Sequence, residues 1–380
     1  MRSADPALWS EPAARRAGAV LSIDLGAIQD NYRRLQERLA AVPCAAVVKA
    51  DGYGLGLAEV GPALAKAGAE SFFVAKLDEA IALRASLAGA CPGAAIHVLN
   101  GLAPGCEEDF LAHRLRPVLN SLGEIEAWAR RAAEEGRALP AALHIDSGMN
   151  RLGLPADELE RLAAERARLE GIDLALILSH LACAEEPDNP MNARQREAFR
   201  AALARLPRAP ASLANSSGLF LGLDYHFDLG RPGVALYGVN PTPAAPNPMR
   251  QVVRLQAKIL QVREIDAPQS VGYGADHRVA GPTRVATLGV GYADGYLRSL
   301  SMRGSAFIGG RKVAVIGRVS MDLITLDVTA LPPEQVRPGC VVDLIDPERG
   351  PDALAAEAGT IGYEILTALG QRYHRVYSGA

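Results

Sequence analysis

No stretch of the sequence approaches the roughly 18 consecutive apolar residues of a membrane-spanning helix, so none is expected. Charge of one sign is also missing. Forty Lys and Arg stand against 43 Asp and Glu, a net charge of −3, and no segment gathers the basic residues into a nucleic-acid footprint. The five cysteines (Cys44, Cys91, Cys106, Cys183, Cys340) never fall in CxxC spacing and are odd in number. That pattern argues against a disulfide scaffold or a zinc site and suits free thiols in a reducing cytoplasm. The seven histidines are equally dispersed, so no metal site is expected. Neither a GxGxxG nor a P-loop pattern occurs, which weakens a dinucleotide or ATP reading. Arg15-Arg16 has only Ala17 to Ile23 behind it before Asp24 interrupts, too short a run for an export signal.

What is present is ordinary globular material: 380 residues, 49% hydrophobic and 22% charged, enough for two domains or one large barrel with an appendage. Residues 1–18, rich in Ala, Pro and Arg, read as a mobile leader. From 19 to 240, apolar runs alternate with amphipathic stretches. Strands are predicted at Val20–Asp24, Ala45–Ala50, Ser71–Lys76, Ala95–Asn100, Arg116–Asn120, Ala142–Asp146, Leu174–Leu181, Ala211–Asn215 and Val234–Gly238. Helices are predicted over Leu122–Glu135, Pro155–Leu169 and Asn192–Leu206. Such alternation implies a parallel sheet, and about eight units favour a (β/α)8 TIM-like barrel over an open doubly wound sheet. The Pro-rich segment 240–248 ends it. Beyond, over 241–380, extended runs at Arg284–Gly289, Lys312–Ile316, Ile324–Val328 and Cys340–Ile345 predict a smaller, mostly antiparallel β domain.

Lys49 closes the apolar run Cys44-Ala45-Ala46-Val47-Val48. Lysine is rarely buried unpaired, so it projects from a strand end into a cavity or snorkels to solvent. In a cavity, partial desolvation would depress its pKa, as an imine-forming or proton-transferring amine requires. Other strand ends carry polar groups too: Asp146 with Arg151, His180, Asn215-Ser216 and Arg231. Barrels gather their functional groups at strand ends, which favours one shared site.

The segment Val47-Val48-Lys49-Ala50-Asp51-Gly52-Tyr53-Gly54 resembles the lysine motif of alanine racemases, a family of pyridoxal 5′-phosphate (PLP) enzymes built on a barrel plus a β domain. Further motifs follow in the family's order: Asp146–Gly153, Ser179-His180, Ala214-Asn215-Ser216, Arg231–Val234, Val271–Gly274, Gly291–Gly295, Gly317–Asp322 and Gly359–Glu364. The match runs from about residue 19 to the C-terminus. The resemblance implies that the first strand joins the C-terminal domain, and that the protein is a cytoplasmic homodimer with active sites shared between subunits. It implies PLP bound to Lys49 as an aldimine, with Lys49 and Tyr273 as the two bases that interconvert L- and D-alanine for peptidoglycan. Two bases suit the chemistry, since racemisation removes a proton from one face and returns one to the other. Cofactor contacts are implied for Tyr53, His180, Asn215, Ser216, Arg231, Gly233, Val234 and Tyr363, with the phosphate on Tyr53, Ser216, Gly233, Val234 and Tyr363. Arg151 and Met321 would meet the substrate carboxylate, and Tyr292, Arg298, Arg318 and Asp322 would flank the entry.

Two positions depart from the family pattern. His144 stands where most members carry a lysine that becomes a carbamate and orients the arginine. An imidazole forms no such stable carbamate, so an anion or a water is expected to orient Arg151 instead. Leu55 stands where a histidine is common. A broad-specificity or serine racemase on the same scaffold is the nearest alternative, since one methyl changes discrimination by only about 1–3 kcal/mol. A decarboxylase would bring cysteine- and acid-rich substrate motifs that are not evident. A non-catalytic PLP-binding barrel would have no second domain.

Overall fold

The computed structural model describes residues 9–379. Two compact units divide the chain: Ile28–Gly52 with Gly56–Arg250, and the segments up to Ala27, Tyr53–Leu55 and from Gln251 onward. After β1 (Ala19–Asp24), the larger unit holds β2 (Ala46–Val47), β3 (Ser71–Val74), β4 (Ala95–Val98), β5 (Arg116–Leu119), β6 (Leu139–His144), β7 (Ile172–Leu178) and β8 (Ala211–Ser212). β2 to β8 lie parallel, in chain order, in one sheet. Residues 228–231 close it. Asp228 N donates to Ala211 O and Arg231 N to Ala214 O on one side; Ala45 N donates to Gly230 O and Val47 N to Pro232 O on the other. A parallel bridge joins Cys44 and Gly230, so the sheet is a TIM-like barrel with an eighth, irregular strand.

Local sequence explains the elements. Phe72, Phe73 and Val74 are buried in succession, as expected of a strand covered on both faces. The helix Leu122–Glu135 starts where Ser121 Oγ accepts from Glu124 N and stops at Gly136, which adopts φ 63°. Its buried face is Leu122, Ile125, Trp128 and Ala132, at helical spacing.

Three expectations are corrected. Val234–Gly238 is not a strand. Val234–Tyr237 is a 3-10 turn, because Gly233 turns the chain (φ −122°, ψ −89°) and Ser216 Oγ, rather than a neighbouring strand, takes the N–H groups of Gly233 and Ala235. The helix over Pro155–Leu169 breaks at Glu165 into Ala156–Ala164 and a 3-10 turn, Arg166–Leu169. In the expected leader, residues 1–8 lie outside the described residues. Pro12–Arg16, however, is a helical turn with Ala14 buried, and Lys258 Nζ caps it by donating to Ala14 O (3.2 Å) and Arg15 O (3.0 Å).

The second unit contains β1 and β9 (Val253–Ile265), β10 (Ser270–Val271), β11 (His277–Arg278), β12 (Thr283–Leu288), β13 (Ser305–Ile308), β14 (Arg311–Ile316), β15 (Ile324–Asp327), β16 (Val341–Ile345) and β17 (His374–Ser378). Its main sheet runs β12-β15-β14-β13-β16-β9-β1-β17, antiparallel except for the β1–β17 pair. β9 is long enough for its first half to pair with β1 and β16 and its second half with β12, which closes six of the strands into a ring. Among the described residues no helix is long and apolar enough to cross a membrane, and no cluster of His, Cys, Asp or Glu could hold a metal ion.

Candidate active site

Lys49 leaves the C-terminal end of β2 and is half-buried. The chain then makes a left-handed turn: Ala50, Asp51, Gly52 and Tyr53 all have φ between 54° and 63°. Three of the four are not glycine, and such a conformation costs a non-glycine residue about 1–2 kcal/mol. Several hydrogen bonds hold it. Glu79 Oε1 accepts from Ala50 N (2.7 Å), Asp51 Oδ1 from Leu57 N (2.7 Å), and Val48 O from Gly52 N (2.9 Å). Burial, and then the Arg151 guanidinium, pull the Lys49 ammonium below its ordinary pKa, while Glu79 opposes them.

Arg231, at the irregular eighth strand, is buried. Its guanidinium donates to Ser212 Oγ and, at 2.6 Å, to Ser179 O, and lies 5.8 Å from the Phe73 ring centroid. Burial lowers its pKa to about 10, so it stays charged. His180 is brought down to about 3 by burial, Arg231, Arg151, Lys49 and His144, in that order, so its ring is neutral at physiological pH. Its backbone is fixed by the buried Gln195, whose Nε2 donates to His180 O (2.9 Å) and whose Oε1 accepts from Ala182 N (2.8 Å).

His144 has a determined tautomer. Asn120 Nδ2 donates to Val118 O (2.8 Å) and Leu99 O (3.3 Å), so its Oδ1 is the acceptor for His144 Nδ1 (2.8 Å). His144 Nδ1 therefore carries the proton and Nε2 the lone pair. Burial and Arg231 lower its pKa to about 4, with Asp146 opposing and Arg151 reinforcing. Asp146 is committed to its own loop: Oδ1 accepts from Gly148 N and Met149 N, and Oδ2 from Asn150 N. Arg151, next along, is exposed and forms no hydrogen bond or ion pair among the described residues.

Ser216 organises a nest of N–H groups. Its Oγ accepts from Gly233 N (2.9 Å) and Ala235 N (3.2 Å), which leaves its own hydroxyl proton to donate elsewhere. At the head of the 3-10 turn, Val234 adds one further N–H with no partner inside the turn. Asn215 Oδ1 accepts from Gly218 N (2.9 Å) and so shapes the same loop. The barrel thus brings together Lys49, Arg151, His180, Arg231, Asn215, Ser216, Gly233 and Val234.

The second unit places the remaining residues. Tyr273 sits on the 3-10 turn between β10 and β11, 72% exposed, flanked by Gly272 and Gly274 at φ 77°. A Cβ on Gly274 would approach the Arg318 guanidinium to 2.9 Å, so Arg318 packs beneath this turn, and it is ion-paired to Asp276. Gly291 allows the 292–294 turn to lie against the Ser320-Met321 backbone: Tyr292 N donates to Ser320 O and Ala293 N to Met321 O, both at 3.0 Å. Asp322 pairs with Arg372, which also pairs with the buried Asp294. The Arg298 turn is tied in by Ser301, whose Oγ donates to Arg298 O and accepts from Val319 N. Tyr53 and Tyr363 face each other with ring centroids 6.3 Å apart, and burial raises the Tyr53 pKa. Leu55 is fully buried, and its carbonyl accepts from Tyr377 Oη.

Sequence reasoning missed Glu79, Ser212 and Asn120 as parts of the site and named Ser179 only within a motif, with no role of its own. Asn120 and Ser179 end strands, the same signal that picked out Lys49. Ser212 and Glu79 act only through partners distant in sequence. The assembled barrel groups carry an excess of fixed positive charge around a half-buried amine, with N–H donors to one side. That suits an anionic, carbonyl-bearing cofactor such as PLP.

Comparison with known proteins agrees. The model of the alanine racemase N-terminal domain matches residues 23–241, and that of the C-terminal domain residues 252–377. The chain is 53% identical to a catabolic alanine racemase of Mesorhizobium japonicum, covering 96% of this chain and 94% of that protein. It is 52% identical to an alanine racemase of Rhodospirillum rubrum, over 96% and 97%. The crystal structure of alanine racemase from Bartonella henselae, with covalently bound pyridoxal phosphate, superposes with a TM-score of 0.91 at 41% identity, over 95% of this chain and 100% of that one.

Proposed function

The chain belongs to the alanine racemase family, and from that premise we propose that it interconverts L- and D-alanine with PLP held on Lys49, using Lys49 and Tyr273 as bases on opposite faces. The observation that carries this reading is Lys49 itself: a half-buried lysine with a pKa lowered by burial and by the Arg151 guanidinium, held by a strained turn. PLP would supply the electron sink that makes the substrate's α-proton removable. The Lys49 amine takes or returns that proton on one face, and the Tyr273 hydroxyl does so on the other.

Other residues bind and orient. Arg231 would face the ring nitrogen as a donor that keeps its proton, so the nitrogen receives a hydrogen bond without being protonated. That restrains the sink and favours return of the proton to the same carbon. Neutral His180 would connect Arg231 with Tyr273. Asn215 shapes the loop against the cofactor, and Tyr53, Ser216, Gly233, Val234 and Tyr363 would hold the phosphate. Arg151, with no anion of its own, and the Met321 N–H would take the substrate carboxylate. Tyr292, Arg298, Arg318 and Asp322 would line the approach. The active protein would be a cytoplasmic homodimer in which each subunit completes the other's site.

The physiological role we propose is supply of D-alanine for peptidoglycan. A second reading, degradation of alanine, is favoured by the Mesorhizobium japonicum relative, whose name is catabolic. Deletion separates the two: D-alanine auxotrophy supports the first, and loss only of growth on alanine supports the second. The activity is tested by incubating a panel of L-amino acids with protein and PLP and reading both enantiomers by chiral chromatography. D-Alanine should dominate the products, and an equal D-serine yield would move the reading to a broad-specificity racemase. Borohydride reduction should fix the cofactor on Lys49, and a label on any other lysine would sink the assignment.

A further inference from the structure

At the N-terminal ends of the barrel strands, away from the end that carries Lys49, His144 and His180, lies a cavity of about 220 Å³. It opens between Ala95 at the start of β4, Arg116 at the start of β5 and Pro140 near the start of β6. Four of its lining residues are arginines (Arg84, Arg114, Arg116, Arg137), and none is acidic. Arg84 is a staple. Its guanidinium donates to His113 O (3.0 Å), Pro92 O (3.2 Å) and Arg114 O (2.8 Å), tying two loops together. Those acceptors are neutral carbonyls, so the charge stays uncompensated. Burial and the Arg114 charge lower the Arg84 pKa, Arg116 adds to this, and Cys91 partly opposes it. The side chains of Arg116 and Arg137 form no hydrogen bond or ion pair among the described residues. Trp128, fully buried in the same lining, has its indole N–H unpartnered.

We propose that this cavity binds a small dianion bearing phosphoryl or carboxyl groups. Guanidinium groups match such oxygens two at a time, and the volume falls below the roughly 300–1,000 Å³ of sites for drug-sized ligands. A dianion would relieve the repulsion among the arginines and supply acceptors to Arg116 and Arg137.

The test is the thermal midpoint of the full chain, loaded with PLP, titrated at pH 8 with inorganic phosphate or with succinate against sodium chloride at matched ionic strength. One of the two should raise the midpoint saturably, by a few degrees. A response to phosphate alone identifies a phosphoryl ligand, and to succinate alone a carboxylate. The Arg116→Gln/Arg137→Gln variant should lose the response, while its midpoint in chloride is unchanged or higher because like charges have been removed. The exposed-site variant Arg137→Gln alone should weaken the response. No saturable shift with either dianion, or an equal shift in the double variant, would overturn the proposal.

Discussion

Three histidines of the barrel unit are held uncharged: His97 and His180 near pKa 3 and His144 near 4. His97 is the simplest. It is buried and stacked on Phe73 at 4.5 Å, and its Nδ1 lacks a partner. Burial opposes its protonation first, then Arg116 and Arg231. A base whose pKa is lowered on folding takes its proton only in the unfolded chain over the window between the folded and unfolded values. Stability therefore falls as pH drops below about 6.5, by about 2 kcal/mol between pH 7 and pH 5 for one such group. His97→Phe keeps the ring and removes the titration. Urea unfolding at the two pH values should show the variant losing about 2 kcal/mol less than the wild type, and an equal loss would mean that His97 is already charged when folded. Residue identity alone did not reveal this, because burial of His97 arises from the strands on either side. Lys49 was legible because it closes an apolar run, and Arg231 because it opens one of the motifs that follow in the family's order. The Asn120–His144 pair was not, since its tautomer depends on two carbonyls, of Leu99 and Val118, that only the folded barrel supplies.

At the scale of the element, periodicity revealed the helix Leu122–Glu135, β1 to β8 and β12, β14, β15 and β16, where burial and sequence pattern coincide, but not β13 or β17. It failed at the closing strand of the barrel. There Arg231, Pro232 and Gly233 give no apolar run, and pairing with β8 and the Cys44–Val47 segment decides the structure. The left-handed turn after Lys49 was equally hidden, because Ala50 and Asp51 have no preference for it. A direct prediction follows from φ 54° at Ala50. Ala50→Gly should be neutral or stabilising by up to about 1 kcal/mol, since glycine adopts this conformation freely. Ala50→Val should destabilise by about 2 kcal/mol or more, because a β-branched side chain clashes there. Denaturant midpoints of the two variants check the ordering, and equal midpoints would show that the turn is not left-handed in solution.

On the scale of the whole molecule, the proposed bases lie in different units, Lys49 in the barrel and Tyr273 on an exposed turn of the β unit. Large apolar side chains of that unit, among them Met321, Leu323 and Ile361, are also exposed. If each site takes Lys49 from one subunit and Tyr273 from the other, two crippled chains can repair each other. A dimer of one Lys49→Ala chain and one Tyr273→Phe chain has one site with both defects and one with neither. Random exchange makes about half of all dimers mixed, so activity should recover to about one quarter of the wild-type value from near zero in either parent. If both bases act within one chain, every site in a mixed dimer keeps one defect and nothing is recovered. Mixing the two tagged proteins, isolating dimers that carry both tags and measuring racemisation distinguishes the cases. Inactivity of isolated mixed dimers would place both bases on one chain.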